Sequence, residues 1–163
     1  MEAISLTIIV PAYNAQRHIG ACLAAICGQM RSHHELIVVN VASSDGTLDL
    51  VRRQQRQFHN INFTVCGQDR PDVAGARHRG ACLARGDYLA FVGGDELLPP
   101  GALEAIDRLI ARRAPELAHC VRLGHDGGHH LAAPPVQAPA QFPMAQLFAR
   151  ERRADPRPVH QSD

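Results

Sequence analysis

The sequence predicts an α/β domain of three layers, with helices on both sides of a mainly parallel sheet. Two observations carry this. Short β-branched apolar runs alternate four times with segments whose apolar residues recur at three and four positions, and polar or acidic residues stand just beyond the carboxyl ends of the runs. Open α/β sheets hold their ligands at those ends.

Leu6 to Val10, closed by Pro11, suits a buried parallel strand. Ile19, Cys22, Leu23, Ile26 and Met30 then form one face of an amphipathic helix. Glu35 to Val39 is a second strand, and Ser43, Ser44 or Asp45 caps a helix whose inner face is Leu48, Val51 and Phe58. Asn62 to Cys66 is a third, shorter strand. Pro71 and Asp72 open a helix with Val73, Ala76, Gly80 and Leu83 on one face, ended by Gly86. Tyr88 to Val92 is the fourth strand, and Pro99-Pro100 precede a helix with Leu103, Ile106, Leu109 and Ile110 turned inward.

Farther on, Pro115 to Leu123 reads as a fifth strand and Asp126-Gly127-Gly128 as a turn into His129, His130 and Leu131. Residues 132 to 143 hold prolines and no period, as expected of a covering loop. Met144 to Arg153 reads as a short helix, and the end from Ala154 as frayed. The expected organisation is one domain over 1–131, followed by a Pro-rich covering segment with a short helix and tail over 132–163.

A chain of 163 residues is long enough to bury about two thirds of its unfolded surface as one domain. With 45% hydrophobic residues, 20% charged residues and a net charge of +1, it has neither a disordered composition nor a general nucleic-acid surface. Cys22, Cys27, Cys66, Cys82 and Cys120 form no C-x-x-C pair and read as small buried hydrophobes. His119, His125, His129 and His130 lack the spacing of a zinc site. Gly75 to Gly80 lacks a Gly-Lys-Ser/Thr ending, and no G-x-G-x-x-G follows the first strand, which excludes ATPase and dinucleotide readings.

Met1-Glu-Ala carries no basic leader and the run Ile8 to Val10 is too short to cross a membrane, so the expected compartment is the cytoplasm. Phe142, Leu147 and Phe148 with Arg150, Arg152 and Arg153 leave open a peripheral site at the inner membrane surface, although a helix covering the core fits them better.

Three ordered motifs remain: Ile8-Ile-Val-Pro-Ala-Tyr-Asn14, Val38-Val-Asn-Val-Ala-Ser-Ser-Asp-Gly-Thr47, and the stretch from Gly75-Ala-Arg-His to Gly93-Gly-Asp-Glu96. In order and spacing the chain resembles the nucleotide-sugar half of family 2 glycosyltransferases over roughly residues 4 to 110. The resemblance implies a truncated GT-A fold and transfer of a sugar from a nucleotide-diphosphate donor to an acceptor glycan or lipid-linked sugar, as in polysaccharide biosynthesis. It implies that Pro11, Ala12 and Tyr13 line the nucleotide pocket and that Arg77 meets the diphosphate, where a bidentate, permanently charged fork suits phosphate oxygens. Asp95 corresponds to the second acid of the family's Asp-x-Asp, and with Glu96 is the expected holder of manganese or magnesium.

Departures from the family pattern bear on activity. Asn40 and Val41 stand where two aspartates are usual, so Asn40 remains a neutral acceptor for a base and Val41 removes one, which weakens the expectation of uridine preference. For Ser43 to Thr47, a helix cap and turn without ligand contact is as good a reading as a ligand-touching loop. Gly93 replaces the first acid of Asp-x-Asp, and no downstream Asp or Glu aligns as a catalytic base. The readings left open are a shortened glycosyltransferase, a donor-binding relic acting as a partner or regulatory module, and a fragment whose acceptor half lies elsewhere. A partner protein or a homo-oligomer is compatible with any of them.

Overall fold

The computed structural model describes residues 4–111 together with two short strands at 117–119 and 146–149. In chain order the elements are β1 (Leu6–Ala12), α1 (Ile19–Cys27), β2 (His34–Val41), α2 (Thr47–Gln57), β3 (Asn62–Gln68), α3 (Val73–Leu83), β4 (Tyr88–Phe91), α4 (Ala102–Ala111), β5 (Leu117–His119) and β6 (Gln146–Ala149). They build one six-stranded sheet in the order β3-β2-β1-β4-β6-β5. The first four strands are parallel, and β6 runs antiparallel to both its neighbours.

β1 and β2 are buried along their whole length, which is why each has an apolar centre, Ile8–Val10 and Leu36–Val39. Alternate side chains feed two cores. Leu6, Ile8, Val10, Leu36, Val38 and Ala90 meet α1, Val51 of α2, and Leu103 and Ile106 of α4; Ile9, Ile37, Val39, Val41 and Leu89 meet α3 through Ala76 and Ala84. Helices therefore cover both faces, as expected. The chain adds β2 and β3 on one side of β1 and then crosses to place β4 on the other. The carboxyl ends of β1 and β4 consequently diverge at a topological switch point.

Several expectations change in detail. Leu50 and Phe58, rather than Leu48, pack from the α2 region against the core. Val73 and Leu83 are 45% and 47% exposed, because the small residues Ala76 and Gly80 bring α3 onto the sheet and these two sit in its terminal turns. Cys82 is exposed and Cys66 half-buried, so only Cys22 and Cys27 behave as buried hydrophobes among the described cysteines. α3 ends at Leu83, with Ala84 extended at its C-cap, and Gly86 is needed for another reason: a Cβ there would lie 2.7 Å from the Thr7 backbone nitrogen. The expected helix over 144–153 is replaced, in its described part, by strand β6, since the free edge of β4 offers backbone partners that outweigh local preference. The expected turn at 126–128, the loop over 132–143 and the tail from 154 lie outside the described residues.

Candidate functional site

The loops after β1 and β2 are laced together at the carboxyl edge. The Asn14 N–H donates to Ser43 Oγ (3.1 Å), whose hydroxyl donates to the Ala12 carbonyl (3.2 Å), and the Ser44 N–H donates to Asn14 Oδ1 (2.9 Å). The Ala15 N–H donates to Thr47 Oγ1 (2.8 Å), the Gln16 N–H to Asp45 Oδ2 (3.2 Å), and the Gly46 N–H to Gln16 Oε1 (2.9 Å). Asp45 Oδ1 also accepts from the Thr47 N–H and hydroxyl, and the hydroxyl bond foremost holds the Asp45 carboxyl below its usual range. Of the two readings of Ser43 to Thr47, this geometry favours the one without ligand contact, because the polar side chains are occupied within the loop and by its neighbour, although the expected cap is absent: Gly46 stands at the N-cap of α2 with no side-chain capping bond. The lacing bends the backbone: Asn14 and Ala42 have φ of 44° and 48°.

Above this floor stand the residues that the motifs single out. Pro11 and Ala12 are buried at the end of β1, and the Tyr13 side chain beyond them is 50% exposed. Asn40 pairs in register with Ala12 across β1 and β2. It is 8% exposed, and among the described residues its Oδ1 has no hydrogen-bond partner, an unusual state for a buried amide. Val41 behaves differently. It is fully buried in the α3-side core with Val39 and Ala76, so the position of the second aspartate has become core rather than an open but empty acceptor.

The acidic turn leaves β4 on the same edge. Gly94 lies against β1 and α1 so tightly that a Cβ on it would be 3.4 Å from Ala12 Cα. The Glu96 N–H donates to the Gly93 carbonyl and the Gly93 N–H to Glu96 Oε2, each at 3.0 Å. A Cβ at Gly93 would meet Asp95 Oδ1 at 2.8 Å and Glu96 Cδ at 3.2 Å, so both acidic side chains fold over the place of the missing first acid. Beneath them, burial first and the charges of Glu96 and Asp95 next push the Cys22 thiol up to about 12, keeping it protonated. Arg77 approaches from α3, on the other face of the sheet, exposed and with its guanidinium 5.8 Å from the Phe91 ring centroid at the end of β4. Tyr13, Asn40, Arg77 and Asp95 thus belong to one edge, with Arg77 and Asp95 reaching it from opposite faces.

A second polar cluster, unforeseen from sequence, occupies the amino edge. His33 Nε2 and His34 Nε2 lie 3.1 and 2.9 Å from the two oxygens of Asp107 in α4, and the three residues could offer metal-ligating atoms within 4.8 Å of one another. Hydrogen-bond polarity argues for a different role. His34 Nδ1 accepts the Arg31 N–H (3.1 Å), which leaves the ring proton on Nε2, where it donates to Asp107 rather than presenting a lone pair. The cluster clasps α4 to the start of β2. Only the fold brings these residues together, since Asp107 is far from the histidine pair in sequence.

Comparison with known proteins agrees with this architecture. A family model described as "Glycosyl transferase family 2" matches residues 7–160. The putative glycosyltransferase EpsH of Bacillus subtilis is 28% identical over 108 residues, covering 66% of this chain and 31% of EpsH. Among solved structures, residues 1–349 of S. aureus TarS superpose with a TM-score of 0.72 at 20% identity, over 89% of this chain and 47% of that one; the same portion has also been solved with UDP-GlcNAc. The mannosyltransferase PcManGT of Pyrobaculum calidifontis, solved with GDP-Man and Mn2+, gives a TM-score of 0.64 at 29% identity, over 75% of this chain and 36% of that one. The chain spans about a third of the length of EpsH. These likenesses identify a GT-A architecture.

Proposed function

The chain belongs to glycosyl transferase family 2, and from that premise we propose that its carboxyl edge takes up a nucleotide-diphosphate sugar. Pro11 and Ala12 form the floor, Tyr13 stacks on the base, Asn40 offers a neutral acceptor to the base's polar edge, and Arg77 meets the diphosphate. The observation that carries the reading is the coincidence of the acidic turn with the switch point between β1 and β4. Nucleotide sugars occupy TarS and PcManGT, which share the architecture.

A divalent ion suits the turn. Asp95 and Glu96 supply hard carboxylate oxygens converging over Gly93, the donor type that magnesium and manganese prefer, and substrate phosphates commonly complete such a shell. The ion, when bound, would offset charge on the diphosphate. In transfer, an acceptor hydroxyl oxygen bonds the anomeric carbon and gives its proton to a base as the bond to the diphosphate oxygen breaks, with Arg77 stabilising the departing nucleoside diphosphate. We assign the accepting base to none of the described residues. The acceptor class in this proposal is a glycan or lipid-linked sugar.

A second reading, donor binding without transfer, is supported by one observation: Val41, which stands where the family pattern has an aspartate, is fully buried in the core. Calorimetry with UDP and GDP, with and without manganese, tests the common ground. Manganese should tighten nucleotide binding to the parent, and Asp95→Ala should remove that gain. Equal manganese dependence in the variant would make Asp95 an ordinary turn residue. Hydrolysis of a nucleotide sugar then separates the enzyme from the binding module.

A further inference from the structure

The segment that carries Asp95 and Glu96 is fastened along one side of α1. A Cβ on Gly94 would lie 3.3 Å from Ile19 Cδ1 and 3.4 Å from Ala15 Cβ, so the backbone rests on the start of the helix. One turn on, the Cys22 thiol donates to the Gly93 carbonyl (3.5 Å). At the far end the Gln29 amide donates to the Pro99 carbonyl (2.9 Å) and back to the Ala25 carbonyl of α1 (3.0 Å), with the Leu98 carbonyl at 3.5 Å, and its Oε1 accepts the Leu103 N–H (3.4 Å). Ile19 and Cys22 thus meet the segment at Gly94 and Gly93, and the helix-following Gln29 meets it at Leu98 and Pro99.

Core packing alone asks only for apolar groups here, as Leu23 and Ile26 supply. The Gly93 oxygen is special because it closes the turn by accepting the Glu96 N–H, and the thiol reaches the same atom. We propose that Cys22 and Gln29 are positioning residues that fix the height and direction of the Asp95 and Glu96 carboxylates at the carboxyl edge. Cys22 holds the atom on which the turn hinges, and Gln29 tethers the limb that returns into α4. The role rests on the reading of this turn as the metal-facing element in the proposed function.

The test combines amide hydrogen exchange with manganese titration on the parent, Cys22→Ala, Cys22→Ser and Gln29→Met. Relative to the amides of β1 and β2, exchange at Gly93 and Glu96 should quicken about three- to tenfold in Cys22→Ala, the scale of one modest hydrogen bond. Cys22→Ser keeps a donor and should stay near the parent, while Gln29→Met should quicken Leu103 first and Glu96 less. Manganese, titrated alone, should bind Cys22→Ala more weakly than Cys22→Ser, with metal-free UDP binding the same in both. Turn amides in Cys22→Ala that exchange as in the parent would overturn the positioning role, as would equal quickening in Cys22→Ser. A parent that takes up neither manganese nor nucleotide would overturn the proposed function instead, and the exchange comparison would still decide whether Cys22 orders the turn.

Discussion

The two edges of the parallel sheet treat their polar groups in opposite ways. At the amino edge, the buried side chains of Thr7, Glu35 and His34 find partners on neighbouring elements, Gln54 Oε1 in the last turn of α2 being an exception among the described residues. Glu35, only 2% exposed, accepts the Thr7 hydroxyl (2.8 Å), the Arg85 N–H (2.9 Å) and the Arg85 Nε–H (2.7 Å), while Thr7 Oγ1 accepts the Gly86 N–H (2.9 Å). His33, His34 and Asp107 close the other part of that edge. At the carboxyl edge the loops are laced to each other, but Tyr13, Arg77 and Asp95 are exposed and Asn40 Oδ1 is left without a partner among the described residues. Saturated polar groups secure a fold, whereas polar groups held in place and unspent are what a ligand can use.

The largest expected effect would break this contrast if it failed. Glu35→Ala strands the Thr7 hydroxyl and the Arg85 N–H in a buried place and should cost about 3 kcal/mol in urea unfolding. Asp95→Ala, at the exposed turn, should change stability by no more than about 0.5 kcal/mol. Similar losses at both edges would mean that the carboxyl edge is as structural as the amino edge.

A smaller effect follows from pH. Burial is the chief reason that the His34 imidazole is held below its ordinary 6.5, against the opposing pull of Asp107, with His33 and Arg31 adding to the lowering. Because the unfolded chain takes up that proton first, the contribution of the clasp is whole above pH 6.5 and declines as pH falls from there through the folded value. Urea midpoints measured between pH 7.5 and 5 should drop for the parent. His34→Gln, which cannot take up the proton, should be less stable at pH 7.5 but show a flatter profile; an identical pH slope would remove His34 as its source.

The smallest effect sharpens the comparison from the other side. Ala42 holds a left-handed backbone, φ 48°, in the loop that laces the carboxyl edge. Ala42→Gly should raise stability by about 0.5 kcal/mol, the relief of strain outweighing the added freedom of the unfolded chain. Unchanged or lowered stability would indicate that the alanine methyl is worth more than its strain.

The parallel strands and their helices were legible because β1 and β2 are apolar on both faces and the helices repeat at their own period. Other features depended on distant partners. Gln146 to Ala149 becomes a strand only because β4 exposes an edge to it. Val41 could be matched to a family position, but its burial follows from strand alternation that turns it towards α3. The motifs located Asp95 and Arg77 by sequence; they gave no hint that Cys22 or Gln29 touches the acidic segment, since those contacts join residues about 70 positions apart.

The strand order also sets a timetable. β1 meets β2 across a short stretch of chain, but it meets β4 only when Leu6 finds Tyr88, roughly 80 residues later, and closing the longer loop costs more entropy. The laced loops can therefore assemble early, while the crevice between β1 and β4 waits for the most distant parallel pairing in the sheet. A chain emerging from the ribosome would acquire the β1–β2 scaffold before the crevice between β1 and β4, so, on the proposed function, a nucleotide present during refolding should accelerate no step before β4 docks.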